Sequence, residues 1–234
     1  MRQIFKTDNL VDSVPRYNIA PTQPVIAIWN EAAGRLAKLA RWGLVPHWVK
    51  DPREFPLIVN ARAETMAGKP TFRDAVKHNR CILPASGYYE WQTLPNGKKQ
   101  PYYITLQSGE PIALAGLYSN WIGPEGEEVD TVATITVPAG ADVDYIHDRM
   151  PAILRGEQID RWLDVRGVRF DEVKPFIIPQ PAGVMASYPV STRVNSAAND
   201  GPDLIEPVSE TISAQPDVKP MKVKKKISGQ MDLF

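Results

Sequence analysis

VPAGADVDYIHDRMPAIL, residues 137–154, is the segment around which the other predicted elements are arranged. The apolar residues 131–137 predict a strand that runs into a loop, and the loop presents His147, Asp148 and Arg149 in succession. Functional side chains are often found where a rigid strand passes into a polar loop. Imidazole, with an unperturbed pKa near ~6.5, is the natural proton carrier at neutral pH. His147 is therefore a candidate functional residue; a capped turn with an incidental histidine is the alternative.

Composition limits the possible classes of protein. The 234 residues are compatible with one large domain or two small ones, and a hydrophobic fraction of 43% is sufficient for a core. Lysine plus arginine and aspartate plus glutamate balance at 27 each, so any basic surface must be local. Cys81 is the only cysteine, which excludes an internal disulfide, disfavours a thiolate metal site and fits a reducing cytoplasm.

Neither a membrane span nor a signal peptide is predicted. A span needs a run of about 18 apolar residues, and the sequence contains none. The first ten residues, MRQIFKTDNL, lack the long apolar region of a signal peptide. We therefore expect a cytoplasmic protein with no membrane partner.

The remaining pattern consists of many short strands with a few short helices. Residues 1–14 resemble the last turns of a helix that ends at Asp8-Asn9. The predicted strands are 25–29 and 35–42 as a hairpin, 57–61, 80–84, and 102–106 paired with 112–118 across Ser108-Gly109; the predicted helices end near Asn79 and cover 156–163. This pattern predicts an α+β domain built mostly on antiparallel sheet.

The composition changes at about residue 209. The segment SETISAQPDVKPMKVKKKISGQ has few large apolar residues, two prolines and a lysine run, which is typical of disorder. We therefore predict a folded domain over residues 1–208 and a disordered tail over 209–234.

Glu90 is the second candidate functional residue. It lies among Tyr88, Tyr89 and Trp91, directly after a predicted buried strand. Desolvation of a carboxyl group there would raise its pKa and suit it to general acid–base chemistry. The alternative is a glutamate at a strand end whose carboxylate reaches solvent.

Asn60 and Arg62 form a third candidate group. An amide can hold a substrate hydroxyl, and a guanidinium can hold a phosphate. Trp42 and Trp48 flank a proline-containing loop and could stack on unpaired bases, worth roughly 1–3 kcal/mol per base; burial in the core is the alternative.

A local basic groove is compatible with zero net charge. Its candidate members are Arg16, Arg62, Lys69 and Arg149. His47 and His78 have no partner at metal-ligand spacing, so we predict no metal and no cofactor. Cys81 lies in the apolar segment Cys-Ile-Leu-Pro and is interpreted as packing rather than as a nucleophile.

Taken together, five segments resemble the SOS-response-associated peptidase family of abasic-site processing proteins. Each is weak alone, but they occur in order with family-like spacing, and the resemblance covers about residues 4–208. The segments are RYNIAP (16–21), RWGLVPHW (41–48), NARAET (60–65), RCILPASGYYEW (80–91) and IHDRMP (146–151). The resemblance implies a barrel-like fold that is mostly antiparallel.

The resemblance also implies a function. Members of the family bind single-stranded DNA at an abasic site and bond covalently to the sugar aldehyde. The nucleophile is a cysteine exposed at the N-terminus once the initiator methionine is removed: its α-amine forms a Schiff base and its thiol closes a thiazolidine ring. A lyase-type activity and a peptidase activity limited to self-processing of the N-terminus are also implied.

By position, the resemblance assigns roles to individual residues. Glu90 would shuttle protons, His147 would assist Schiff-base chemistry and crosslink release, and Asn60 would hold the opened sugar. The residues lining the DNA path would be Asn18, Pro21, Trp48, Arg62, Lys69, Thr136 and Arg149.

The N-terminus departs from the family pattern. The sequence begins MRQIF instead of Met-Cys-Gly-Arg-Phe, and Cys81 cannot substitute because it has no free amine beside its thiol. We expect that translation starts upstream of residue 1; a shortened relative without crosslinking chemistry is the alternative. The competing function is a catalytically inactive module that binds single-stranded DNA and is tethered to the replication clamp.

The C-terminus carries a separate hypothesis. Gln230, Leu233 and Phe234 in QMDLF resemble the short peptide by which bacterial repair proteins dock on the sliding clamp. A disordered tether ending in apolar anchors suits the recruitment of a repair protein to replication forks in the nucleoid. A tail ending without function is the alternative.

Overall fold

The computed structural model describes residues 2–9, 11–209 and 211–212. The strands are β1 Pro24–Glu31, β2 Gly34–Trp42, β3 Asn60–Arg62, β4 Arg80–Ala85, β5 Tyr88–Thr93, β6 Lys99–Leu106, β7 Ile112–Ile122, β8 Glu128–Pro138, β9 Arg149–Pro151, β10 Ile153–Leu154 and β11 Met185–Pro189. The α-helices are α1 Arg2–Phe5, α2 Pro70–His78, α3 Glu157–Leu163 and α4 Phe170–Val173. Single 3₁₀ turns cover Met66–Gly68, Lys174–Phe176, Thr192–Asn195 and Pro202–Ile205.

Five strands close into a barrel. They are hydrogen-bonded in the order β7-β4-β1-β2-β8, and β8 pairs back onto β7. Closure removes the exposed strand edges that an open sheet would leave. β3 and β9 also pair with β8, β10 pairs with β7, and β11-β6-β5 form a separate sheet. Pairing is antiparallel except for β2 and β3 against β8, so the predicted α+β, mostly antiparallel, barrel-like fold is confirmed.

The barrel interior is close-packed where β4, β7 and β8 meet. A Cβ atom at Gly116 would lie 2.4 Å from Leu83 Cδ1 and 3.2 Å from the carbonyl oxygen of Ala133. The strands approach closely there because glycine has no side chain. Cys81 is fully buried beside this point, and burial raises the pKa of its thiol. The interpretation of Cys81 as inert packing is confirmed.

The predicted pairing of residues 102–106 with 112–118 is wrong. β6 pairs with β5 and β11, whereas β7 pairs with β4, β8 and β10. A turn does form, since Gly109 has φ +72° and its N–H donates to the carbonyl of Leu106. The chain passes there from the second sheet to the barrel, because both edges of β6 are already paired.

The N-terminal helix, predicted to continue to Asp8-Asn9, is also wrong beyond Phe5. Lys6 has φ +53°, which takes the backbone out of the helical region. The side chain of Asn9 then accepts from the N–H of Ala37 and donates to its carbonyl, both at 2.8 Å. Asp8 and Asn9 therefore satisfy the backbone of β2 instead of ending a helix.

Other local predictions are confirmed with small shifts. β1 and β2 form the predicted hairpin, and α2 and α3 lie where helices were expected. The strand predicted at 57–61 begins later and covers Asn60–Arg62. The boundary at residue 208 stays a prediction. No helix in the described part of the chain is long and apolar enough to cross a membrane.

Candidate active site

Strands β3, β8 and β9 bring four predicted site residues to one face of the sheet. Arg62 lies opposite Thr136 in the parallel pair, with Asn60 two residues before Arg62 on the same face. Ala61 lies between them and is fully buried on the core side. Arg149 begins β9 opposite Pro138, so its side chain is on the face that carries Thr136. The alternation of strand side chains thus gathers an amide, a hydroxyl and two guanidinium groups.

The side chain of Arg149 is held by three oxygen-bearing groups. Its Nη1 and Nη2 donate to the two carboxylate oxygens of Glu64 at 2.6 and 3.0 Å. Nη2 also donates to the carbonyl of Thr136 at 2.6 Å and lies 3.2 Å from its hydroxyl. The hydrogen bonds from Arg149 lower the pKa of Glu64 below its ordinary value, and burial of the carboxylate opposes this shift. This corner of the site is a fixed ion pair.

The ring of His147 is oriented by the backbone of Arg149. Its Nδ1 lies 3.1 Å from the N–H of Arg149 and 3.2 Å from the carbonyl of the same residue. Nδ1 can therefore accept from the N–H or, when protonated, donate to the carbonyl. Both tautomers find a partner, so Nε2 can present a proton or a lone pair. The side chain is 44% exposed, which leaves it accessible to a substrate.

Glu90 lies on β5 in the second sheet, directly opposite Tyr102. Burial raises the pKa of its carboxyl group above the ordinary value; the charge of His147 and a backbone hydrogen bond from Trp91 oppose the rise. The charge of His147 therefore acts on Glu90. The desolvation predicted for Glu90 is confirmed. A carboxyl group of raised pKa beside an imidazole is suited to proton transfer.

The loop that carries His147 is fastened to the second sheet by Tyr145. Gln92 Nε2 donates to the backbone carbonyl of Tyr145 at 3.1 Å. The hydroxyl of Tyr145 is 2.8 Å from Ser187 Oγ, and its ring meets that of Tyr102 edge-on at 5.9 Å. Gln92 is two residues beyond Glu90 on the same strand face. These contacts bring the loop that carries His147 and the strand that carries Glu90, β5, to the same site.

Comparison with known proteins decides the family. The profile of the SOS response associated peptidase (SRAP) family matches residues 1–197. The chain belongs to the SOS response associated peptidase family. This confirms the family indicated by the five sequence segments.

Named relatives and solved structures agree with this assignment. The SRAP chain is 42% identical over 193 residues to the abasic site processing protein YoqW of Bacillus subtilis, covering 82% of this chain and 86% of the relative. It is 37% identical over 202 residues to the abasic site processing protein HMCES of Gallus gallus, covering 76% and 59%. A crystal structure of a Bacteroides thetaiotaomicron protein matches with a TM-score of 0.69 and 29% identity, covering 83% and 82%.

The other predicted DNA-contact residues of the SRAP chain lie on separate loops. Trp48 follows β2, is 51% exposed and packs edge-on against Phe55 at 5.7 Å. Trp42 is half-buried, and its Nε1 donates to the carbonyl of Val59 at 3.1 Å. Of the two tryptophans, only Trp48 therefore offers a ring face to solvent. Pro21 and Lys69 are also exposed to solvent.

Asn18 is in a different environment from the one expected of a DNA contact. Its side chain is buried, and Nδ2 donates to the carbonyls of Val194, Ser196 and Asn199, each at 3.1 Å. The amide thus holds the 194–199 loop against the start of the chain. This geometry favours a structural role, and direct DNA contact by Asn18 stays a prediction.

We expect Asn18→Ala to lower the free energy of unfolding by about 1–3 kcal/mol, since buried carbonyls lose their donor. Urea denaturation measures the change. Asn120→Ala is the matched control with a smaller effect, because among the described residues the side chain of Asn120 makes a single hydrogen bond, to Asp130 on the neighbouring strand. An unchanged unfolding midpoint for Asn18→Ala would contradict the structural role.

Sequence reasoning missed several residues of the site. Glu64 follows Arg62 by two positions in NARAET, and Tyr145 lies inside the segment 137–154, so both belong to segments already singled out from the sequence. Nothing local shows which distant group each would contact. Tyr88 shares the strand face of Glu90; its buried hydroxyl has no hydrogen-bond partner in the described part of the protein. Within those residues no group of three or more His, Cys, Asp or Glu side chains could hold a metal ion.

Proposed function

We propose that the protein processes abasic sites in single-stranded DNA. The observation that carries the proposal is the hydrogen bond from Gln92, two residues beyond Glu90, to the carbonyl of Tyr145, two residues before the half-exposed His147. Relatives named abasic site processing proteins, at 42% identity over most of the chain, support the same function.

The face formed by β3 and β8 suits a deoxyribose that has lost its base. Asn60 is exposed and offers an amide to a sugar hydroxyl. Arg62 is exposed on the same face and offers a guanidinium to the flanking phosphate. Trp48 offers a ring on which a neighbouring base can stack. Net charge is zero, so binding depends on this local arrangement and not on bulk charge.

The chemistry begins with the open-chain aldehyde of the abasic sugar. An amine adds to the carbonyl carbon to give a carbinolamine, and loss of water from it gives a Schiff base. The protonated carboxyl group of Glu90 donates a proton to the departing hydroxyl, and the imidazole of His147 takes the proton released by nitrogen. Addition of a neighbouring thiol to the Schiff base then closes a thiazolidine ring.

The covalent product needs an α-amine and a thiol on one residue. Cys81 offers neither, because its α-nitrogen is part of a peptide bond and its thiol is fully buried in β4. We therefore expect a thiazolidine only in a version of the protein extended upstream to begin Met-Cys-Gly-Arg-Phe. Without that cysteine, slow lyase-type cleavage through another amine is the expected residual activity.

The test uses single-stranded DNA with one abasic site, resolved on a denaturing gel. The 234-residue chain and the upstream-extended version are compared on this DNA, on intact DNA, and on DNA with a tetrahydrofuran analogue that lacks the aldehyde. We expect a crosslinked band for the extended version on abasic DNA alone. Failure of both versions to distinguish abasic from intact DNA would refute the proposal.

A non-covalent module is the second candidate. It rests on the exposed side chains of Arg62 and Trp48, which can hold a phosphate and a base without a covalent bond. This candidate predicts that both versions retain single-stranded DNA in a native gel and that neither gives a band on the denaturing gel.

The clamp-binding hypothesis concerns Gln230, Leu233 and Phe234, which lie outside the described residues. We propose that these residues dock on the bacterial sliding clamp. We expect the double variant Leu233→Ala/Phe234→Ala to lose competition with a clamp-binding peptide in fluorescence anisotropy, because both apolar anchors are removed. The double variant Lys224→Ala/Lys225→Ala is the control in the same tail. Equal competition by the anchor variant and the unaltered protein would exclude the hypothesis.

A further inference from the structure

Glu64 and Arg149 form an ion pair that ties the end of β3 to the start of β9 beside the candidate active site. Both Nη atoms of Arg149 are directed at the carboxylate, and Nη2 also reaches the carbonyl of Thr136. A two-pronged pair of this kind fixes the plane of the guanidinium as well as its distance. Arg149 is therefore held in one orientation against β8.

The same contacts limit what Arg149 can offer to DNA. Its side chain is 20% exposed, and its Nε is buried with no hydrogen-bond partner among the described residues. A phosphate would have to displace Glu64 to use the guanidinium edge. Arg62 is exposed, and no hydrogen bond or ion pair engages its side chain in the described part of the protein. Of the two arginines, Arg62 is the one available to the DNA backbone.

The ion pair is also connected to His147 through the backbone of Arg149. The N–H and the carbonyl of Arg149 lie 3.1 and 3.2 Å from His147 Nδ1, and Asp148 Oδ1 lies 3.4 Å from the same atom. Fixing the Arg149 side chain fixes this stretch of backbone, and with it the direction of the imidazole. Tyr145 anchors the other side of His147 to the second sheet. The loop that carries His147 is therefore held at both ends. Tyr145 fastens it to the second sheet, and the Glu64–Arg149 pair fastens it to the barrel.

We infer that Glu64 is a positioning residue for the abasic-site reaction. Through Arg149 it holds His147 in one orientation at the site. The inference rests on the proposed function, because the reaction it refines is the one proposed above.

The test separates DNA binding from reaction. Wild type, Glu64→Ala, Glu64→Gln and Arg149→Lys are compared in whichever version reacts with abasic DNA. Dissociation constants are measured on the unreactive tetrahydrofuran DNA at several salt concentrations, and rates are measured at saturating abasic DNA. The matched control is Asp51→Ala, because Asp51 holds Arg53 in an exposed carboxylate–guanidinium pair of similar geometry.

We expect Glu64→Ala to lower the saturated rate by roughly 10- to 100-fold and to change the dissociation constant by no more than about twofold. Arg149→Lys should behave alike, since lysine keeps the charge but not the planar two-pronged contact. Glu64→Gln retains one acceptor and should be intermediate, and it replaces the alanine variant if that fails to fold. Asp51→Ala should leave both quantities unchanged.

Two results would overturn the inference. One is tighter DNA binding by Glu64→Ala with a steeper salt dependence and an unchanged rate, which would make Glu64 a competitor of the phosphate. The other is no change in either quantity. If wild type does not react with abasic DNA at all, the proposed function fails. The ring resonances of His147, followed by NMR, then decide separately whether Glu64→Ala shifts that side chain.

Discussion

Glu90→Gln is expected to lower the rate of the abasic-site reaction by roughly 100- to 10,000-fold, because the amide cannot transfer a proton. The same substitution should raise the melting temperature at neutral pH. Burial raises the pKa of Glu90, so the folded protein favours its neutral form, which glutamine resembles. Loss of activity with gain of stability is the pattern expected of a residue retained for chemistry.

The sign of the pH dependence follows from the raised pKa. An unfolded glutamate titrates near ~4.3, and the folded pKa of Glu90 is higher. The neutral carboxyl group therefore contributes stability that is fully present below the unfolded pKa. This contribution is lost as the pH rises through the folded pKa. The stabilisation by glutamine should thus appear at pH 7 and vanish near pH 4.

Thermal melts at a series of pH values and single-turnover rates on abasic DNA measure both effects. The control is Glu128→Gln at the exposed start of β8. That variant should change neither the melting temperature nor the rate, because its carboxylate is already solvated. A Glu90→Gln protein that reacts at the wild-type rate would remove Glu90 from the mechanism.

Sequence reasoning succeeded where the decisive physics is local. The hairpin of β1 and β2 is set by its turn and by alternation. It failed where partners are distant. Asn18 bonds to carbonyls 176 to 181 residues away, and Glu64 meets Arg149 across 85 residues. These contacts depend on how distant segments pack in the folded chain, and no single segment of the sequence shows that packing.

The pairing error at Ser108-Gly109 has the same origin. The turn signal itself was correct, since Gly109 adopts a positive φ. A turn between two apolar segments favours a hairpin only when both strands still have free edges. Here β6 is enclosed by β5 and β11, and that competition is invisible along the chain. Glu90 accordingly lies in the second sheet and His147 in the loop before β9, and only the folded chain brings the charge of His147 to act on Glu90.

Arg80 is the residue whose loss is expected to destabilise the protein most. It begins β4 and is fully buried. Its Nε donates to the carbonyl of Trp162 at 2.7 Å, and its Nη2 donates to those of Asp164 and Val168 at 3.1 and 2.8 Å. These acceptors lie at the end of α3 and in the segment after it, and the carbonyl of Asp164 also accepts from the N–H of Val168 at 3.0 Å. Burial lowers the pKa of Arg80, with Asp164 and Glu172 opposing the shift.

We expect Arg80→Ala to lower the free energy of unfolding by about 3–5 kcal/mol, because several buried carbonyls lose their donor at once. Total stabilities of about 5–15 kcal/mol make this a large fraction. Arg80→Lys should recover little of the loss, since one ammonium cannot follow the spread of these acceptors. The exposed Arg169→Ala is the control, and urea denaturation is the measurement.

The outcome also bears on the site, because β4 leads directly into the strand that carries Glu90. Arg80→Ala removes the hydrogen bond to the carbonyl of Trp162 and should make that residue more mobile. The Nε1 of Trp162 donates to the carbonyl of Cys81 at 2.9 Å, so β4 should be affected as well. Hydrogen exchange should then increase in β4 and α3 before it increases in β11. A variant as stable as wild type, with unchanged exchange, would mean that the buried guanidinium is replaceable by packing alone.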